Sequence, residues 1–152
     1  VALIISPVAD LDLRAFMEAY TPTDASKALL RGFFGCLLAG LAYMHHMSIR
    51  HKDIKPANIL IKGDSVLYTD LGLAFYWEAV GHSTTEDSSP VATRKYSPPE
   101  IFTGEKRNTS ADIFSLGCVF LEMATLLDGS TLDKLQEHLA SYGTQSTIYG
   151  TN

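Results

Sequence analysis

Apolar positions along the chain change their period several times, and each change marks an element. Val1 to Ile5 is a continuous apolar run of strand length, broken by Ser6-Pro7. Leu11 to Tyr20 reads as a short helix, interrupted by Thr21-Pro22-Thr23-Asp24. A longer helix then runs to about Met47, with Leu30, Phe33, Phe34, Leu37, Leu38, Leu41 and Met44 at helical spacing on one face, a core stripe. Asn58 to Ile61 and Ser65 to Tyr68 are short β-like runs that predict a hairpin. Ala111 to Leu127 is apolar nearly all round, which predicts a helix buried on every side, stopped by Asp128-Gly129-Ser130. Leu132, Leu135 and Leu139 mark one more amphipathic helix, closed near Gly143, and Thr144 to Asn152 carries no strong pattern. The expected fold is mainly α.

Composition narrows the class. The chain has 152 residues, enough for one domain with a core. Hydrophobic content of 46% against 19% charged is globular rather than disordered. A net charge of -5 argues against nucleic acid or an anionic membrane as the main partner. Residues 32 to 47 come nearest to a membrane span but fall short of an uninterrupted apolar run and include His45 and His46, so a buried core helix is expected and no membrane span. Val1 to Ile5 is too short, and lacks the basic flank, for a secretory signal. Cys36 and Cys118 sit in apolar helical patterns, which predicts buried, reduced thiols and suits an intracellular protein, cytoplasmic or nuclear.

The chemistry concentrates in His51-Lys52-Asp53-Ile54-Lys55-Pro56-Ala57-Asn58. Pro56 disfavours helix at Lys55, so these polar groups belong on a loop between two buried elements. Asp53 can accept a proton from a hydroxyl, Lys55 can neutralise a phosphate, and the Asn58 amide oxygen is a hard ligand suited to Mg²⁺. A second carboxylate follows a strand in Asp70-Leu71-Gly72, where the glycine permits a sharp change of direction. A base, a cation and metal ligands suit phosphoryl transfer, which needs positioning and charge neutralisation more than covalent chemistry. Taken singly, each of these residues also fits an ordinary polar turn. His45 and His46 read as exposed or capping rather than metal-binding, because no Cys or second His pair stands at ligand spacing.

The loop resembles the catalytic loop of protein kinases, H-R-D-L-x-x-x-N; Asp70-Leu71-Gly72 resembles their D-F-G triplet, and Ser97-Pro98-Pro99-Glu100 their A-P-E region. The three stretches stand in family order at family-like distances, and Lys55, two after the aspartate, is the serine/threonine form. The resemblance implies a truncated kinase-like C-terminal lobe with a short hairpin near the loop: residues 1–9 as hinge strand and linker, 10–143 as the lobe, 144–152 as tail. It implies ATP and Mg²⁺ as cofactors and a protein as substrate. Asp53 becomes the residue that takes the substrate hydroxyl proton, Lys55 a contact to the transferred phosphate, and Asn58 and Asp70 the metal ligands. Pro7 and Val8 fall in the hinge that binds adenine, Leu60 beneath the adenine, and Asp12 near the ribose. Read from the residues alone, the Asp12 region is a strand end and a helix start capped by Asp10. His51 has a structural role in the family.

Further along, Leu73 to Pro99 matches an activation segment, and His82 to Pro90 predicts a polar, acidic loop with candidate phosphorylation sites. Thr93 matches a threonine that contacts the catalytic aspartate and lysine. Glu100 matches a glutamate that pairs with a later arginine, yet no arginine follows Arg107. Asp112 matches an anchor of the loop backbone; the residues alone also allow a capping box, Thr109-x-x-Asp112. Lys52 stands where arginine is usual, Leu71 for phenylalanine and Ala92 for glycine. Lysine offers a point charge rather than a bidentate fork, which puts control by activation-segment phosphorylation in question.

No G-x-G-x-x-G loop, V-A-I-K lysine or helix glutamate of the N-terminal lobe is present in this sequence, and the last helices of the C-terminal lobe are expected to be missing. The expectation is a serine/threonine protein kinase in shortened form, with a partner protein able to stand in for the N-terminal lobe. The alternative is an inactive kinase-like scaffold or docking module. A small-molecule phosphotransferase is a third class, whose members usually lack the Lys55 spacing and the Thr93 to Glu100 segment.

Overall fold

A computed structural model describes residues 8–78, 81, 94–100, 108–141 and 148–151. Their order begins with a short strand β1 (Leu11–Asp12) and helix α1 (Leu13–Glu18), then the long helix α2 (Asp24–His46). Strand β2 (Ile49–Arg50) leads into the polar loop, which ends in a 3-10 turn over Pro56–Asn58. Strands β3 (Ile59–Lys62) and β4 (Ser65–Tyr68) form the expected hairpin, and β5 (Phe75–Tyr76) follows a second 3-10 turn, Leu71–Leu73. Helices α3 (Thr109–Leu127) and α4 (Leu132–Ser141) close the lobe, with 3-10 turns at Arg94–Tyr96 and Tyr149–Thr151. The described fold is the helical, kinase-like lobe the sequence predicts.

The strands are small and antiparallel. β3 lies between β1 and β4, with Leu60 opposite Asp12 on one side and Leu67 on the other. β2 pairs with β5, Arg50 facing Phe75. Along β3 the period of two sends Ile59 and Ile61 into the core and leaves Leu60 half-buried on the opposite face.

Local sequence explains where each helix begins and ends. Thr23 and Ser26 cap α2 reciprocally, side chain to backbone, satisfying first-turn donors. Asp12 caps α1 by accepting from the Ala15 amide at 2.8 Å. The cap expected at Asp10 is therefore misplaced: its carboxylate takes Lys62 Nζ at 2.9 Å and the Gly63 amide at 2.8 Å, pinning the start of the lobe to the hairpin. Those two donors hold Asp10 below the usual carboxylate range, the backbone donor most. At the end of α3, Gly129 has φ of 82°, which lets its amide reach Leu126 O and the Ser130 amide reach Thr125 O.

The core is one cluster. Leu30, Phe33, Leu37 and Leu41 of α2 meet Leu116, Val119, Met123 and Leu126 of α3, with Leu13, Ile54, Ile59 and Ile61 completing it. Phe34 and Met44 pack against its edge. Three expectations need correction. Leu38 is 57% exposed, because the α2 stripe is narrower than its spacing suggested. α3 is not buried on every side: Ile113 and Leu121 face outward. Cys36 is exposed and only Cys118 is buried, although both are free thiols. By length and composition α2 and α3 could each cross a membrane; in this fold each lays a stripe into the protein core, and α3 carries two buried carboxylates, Asp112 and Glu122.

Candidate active site

The polar loop hangs from one buried carboxylate. Asp112, 2% exposed in the first turn of α3, accepts the Lys52 amide through Oδ1 and the His51 amide through Oδ2, each at 2.9 Å. Its Oδ2 also lies 3.0 Å from His45 Nε2, which donates from the last turn of α2. So Asp112 is the loop anchor rather than a cap; the helix cap is Asn108, which accepts the Ser110 amide at 2.7 Å. Lys52 takes φ of 70°, a region that non-glycine residues avoid, and the bond from its amide to Asp112 helps hold it there.

The next residues converge. Asp53, 9% exposed, accepts Lys55 Nζ at 2.7 Å and Asn58 Nδ2 at 3.0 Å, both on Oδ2. Asn58 Nδ2 also reaches the Asp53 carbonyl at 2.9 Å. These bonds leave Asn58 through its amide nitrogen, so its amide oxygen takes no part in them. Lys55 is extended, with φ of -160° and ψ of 161°, as the following proline requires. Buried Ile54 and Ile59 flank the loop and fix it to the core.

Thr69, the residue before Asp70, is tied to this loop. The Thr69 amide donates to the Asn58 carbonyl at 3.0 Å, and His51 Nε2 lies 2.9 Å from the Thr69 carbonyl. A carbonyl only accepts, so His51 carries its proton on Nε2. The fully buried His51 ring is thus a strut between loop and hairpin, not a base. Asp70 itself is exposed and left-handed, at φ of 60° and ψ of 62°. The sharp change of direction was expected of the glycine; it is made by the carboxylate residue, which tolerates that region better than most.

An amide oxygen and an exposed carboxylate are hard donors, too few to cage an ion alone. Among the described residues no group of three or more His, Cys, Asp or Glu is placed to hold a metal. That donor set fits Mg²⁺, which keeps waters and arrives with phosphate oxygens, better than a structural metal.

The remaining expected site residues fall variously. Val8 is 77% exposed at the start of the described chain, beside the β1 edge. Asp12 stands next to Leu60 in the sheet register, with one oxygen spent on capping. Glu100 is half-buried and engaged, not solvated for want of its family arginine. Pro7, Thr93, the first strand and the 82–90 loop lie outside the described residues.

Two groups escaped sequence reasoning. His45 is 67 positions from Asp112, and no local pattern links them. Glu122, 2% exposed in α3, accepts Lys95 Nζ at 2.8 Å, Tyr149 OH at 2.9 Å and Tyr96 OH at 3.1 Å. It ties the 94–97 stretch to the core. Burial first, then the Glu122 charge, raises both tyrosine hydroxyls well above their ordinary range. A charged residue inside an apolar helix was the available signal.

Comparison with known proteins agrees with this geometry. The model of the protein kinase domain matches residues 2–142. Cell division control protein 2 homolog 3 of Trypanosoma brucei brucei is 39% identical over 127 residues, covering 80% of this chain and 38% of that protein. Cyclin-dependent kinase 2 of Caenorhabditis elegans is 38% identical over 120 residues, covering 76% of this chain and 32% of that protein. The chain thus spans about a third of the length of these curated relatives. With the loop held on its anchor as described, the chain belongs to the protein kinase family.

Proposed function

We propose that this chain carries the phosphoryl-transfer half of a serine/threonine protein kinase, moving phosphate from ATP to a protein hydroxyl. The observation that supports it most is the Asp53 carboxylate, whose Oδ2 takes both Lys55 and Asn58 on a loop hung from Asp112. Asp53 takes the hydroxyl proton; Lys55, a step away, lends its charge to the moving phosphate; Asn58 and Asp70 hold Mg²⁺. Mg²⁺, when bound with nucleotide, neutralises the phosphate charge that these side chains cannot offset alone. Val8, Asp12 and Leu60, on or near the β1–β3 edge, serve the nucleotide's base and ribose, and Pro7 and Thr93 keep the roles their motifs imply. The roof over the phosphates comes from a glycine-rich segment this sequence lacks, supplied by another segment or a partner protein. Two free cysteines suit an intracellular setting.

The test is transfer of labelled phosphate from Mg-ATP to serine/threonine peptides, with a glycine-loop lobe present. Asp53→Asn should cut transfer by about a hundred- to ten-thousand-fold without unfolding the chain. Equal transfer by the variant, or transfer to an aminoglycoside or choline instead of peptides, would sink the reading.

A further inference from the structure

On another part of the lobe, the ends of three helices enclose a cleft of about 520 Å³. Met17 of α1, Tyr20 just after it, Leu126 of α3 and Leu132 of α4 give it apolar walls. Its charged lining residues are Glu18 and Asp133, both acidic. Glu18 also faces Arg14 at 4.0 Å, but both side chains are more than 60% exposed, so water screens that contact and leaves the carboxylate available. The Tyr20 hydroxyl is shut away from water and has no hydrogen-bond partner. Its ring is held against Phe16 at 6.0 Å. An adjoining cleft of about 360 Å³ shares Ser130 and adds Asp128, Lys134 and His138, so the purely acidic side is the one at α1.

We propose that this cleft docks a cationic peptide segment of a partner protein. An apolar side chain of the segment enters between Tyr20, Leu126 and Leu132, and its flanking arginines or lysines meet Glu18 and Asp133. The size suits one large side chain with its adjacent backbone. The acidic lining repels an acidic segment. A neutral apolar molecule leaves the carboxylates unused. Docking here does not depend on phosphoryl transfer, so binding alone tests it.

The experiment is fluorescence anisotropy on the full chain with a short labelled peptide, a leucine flanked by arginines, and a matched peptide with glutamates in their place. The arginine peptide should bind, and weaken as salt rises from about 50 to about 500 mM. The double variant Glu18→Lys with Asp133→Lys, altering exposed groups and checked for parental circular dichroism, should bind it at least about tenfold more weakly. Leu132→Asp should do the same if it folds. Equal binding of the two peptides, or unchanged affinity in the double charge variant, overturns the proposal.

Discussion

Lys52 holds a backbone angle that lysine avoids, and the loop's geometry depends on it. The hydrogen bond from its amide to Asp112 helps hold its φ of 70°. Lys52→Gly should therefore be more stable than Lys52→Ala, by about 1 kcal/mol, in paired urea denaturations. Both lose the same ammonium, so only the backbone differs. A more stable alanine variant would mean that the loop relaxes out of the left-handed region. Cys118 offers a second single-residue test. Burial first, then the Glu122 charge, pushes its thiol up to about 12 from an ordinary 9.0. The folded chain keeps that proton where the unfolded chain has lost it. This contribution to stability is fully present below pH 9.0 and is lost as pH climbs through about 12. Tyr68, Tyr96 and Tyr149 shift in the same direction. Urea midpoints should fall across that alkaline window, and a flat profile would contradict the burial. At pH 8 iodoacetamide should label Cys36 and spare Cys118 until the chain unfolds.

At the scale of elements, helix α2 does more than fill the core. Its residue Gly40 faces Tyr68 of β4, where an added Cβ would come 3.2 Å from the Tyr68 ring. That ring cannot swing aside freely, because its hydroxyl donates to the Leu37 carbonyl at 2.9 Å. Tyr68 in turn packs against the His51 strut, ring centroids 5.8 Å apart. Gly40→Val should cost about 1–3 kcal/mol by calorimetry, and should loosen amide exchange protection at Thr69 before that of α3. Loss confined to α2 would break the proposed link from helix to loop. The α2 stripe was legible from its spacing, yet Leu38 lay outside it. Spacing assigns a side of the helix but not the width of the neighbour that covers it. The same limit applies to α3, whose apolar surround hid outward-facing Ile113 and Leu121.

At the scale of the whole molecule, the site is an assembly of segments far apart in the chain. α2 supplies His45, the loop supplies Asp53 and Asn58, Thr69 at the end of the hairpin bonds to Asn58, and α3 holds the loop and His45 with Asp112. The sequence lacks the glycine loop and the lysine strand that close over nucleotide phosphates in the family. Mg-ATP should bind the isolated chain with a Kd above about 1 mM in a calorimetric titration. Sub-millimolar binding would show that this half makes most of the nucleotide site by itself.

By itself the sequence determined the run of helices and the hairpin, the family, and the residue types of the loop. Helix and strand periods, caps and a proline act over a few residues, and so do the spacings within one motif. Only the tertiary structure decided that His45 steadies Asp112, that Asp70 rather than Gly72 bends the chain, and that Glu122 ties down the 94–97 stretch. The same holds for which thiol is buried. Those outcomes rest on contacts between positions tens of residues apart, and on how much of each helix its neighbours cover. No local pattern encodes either.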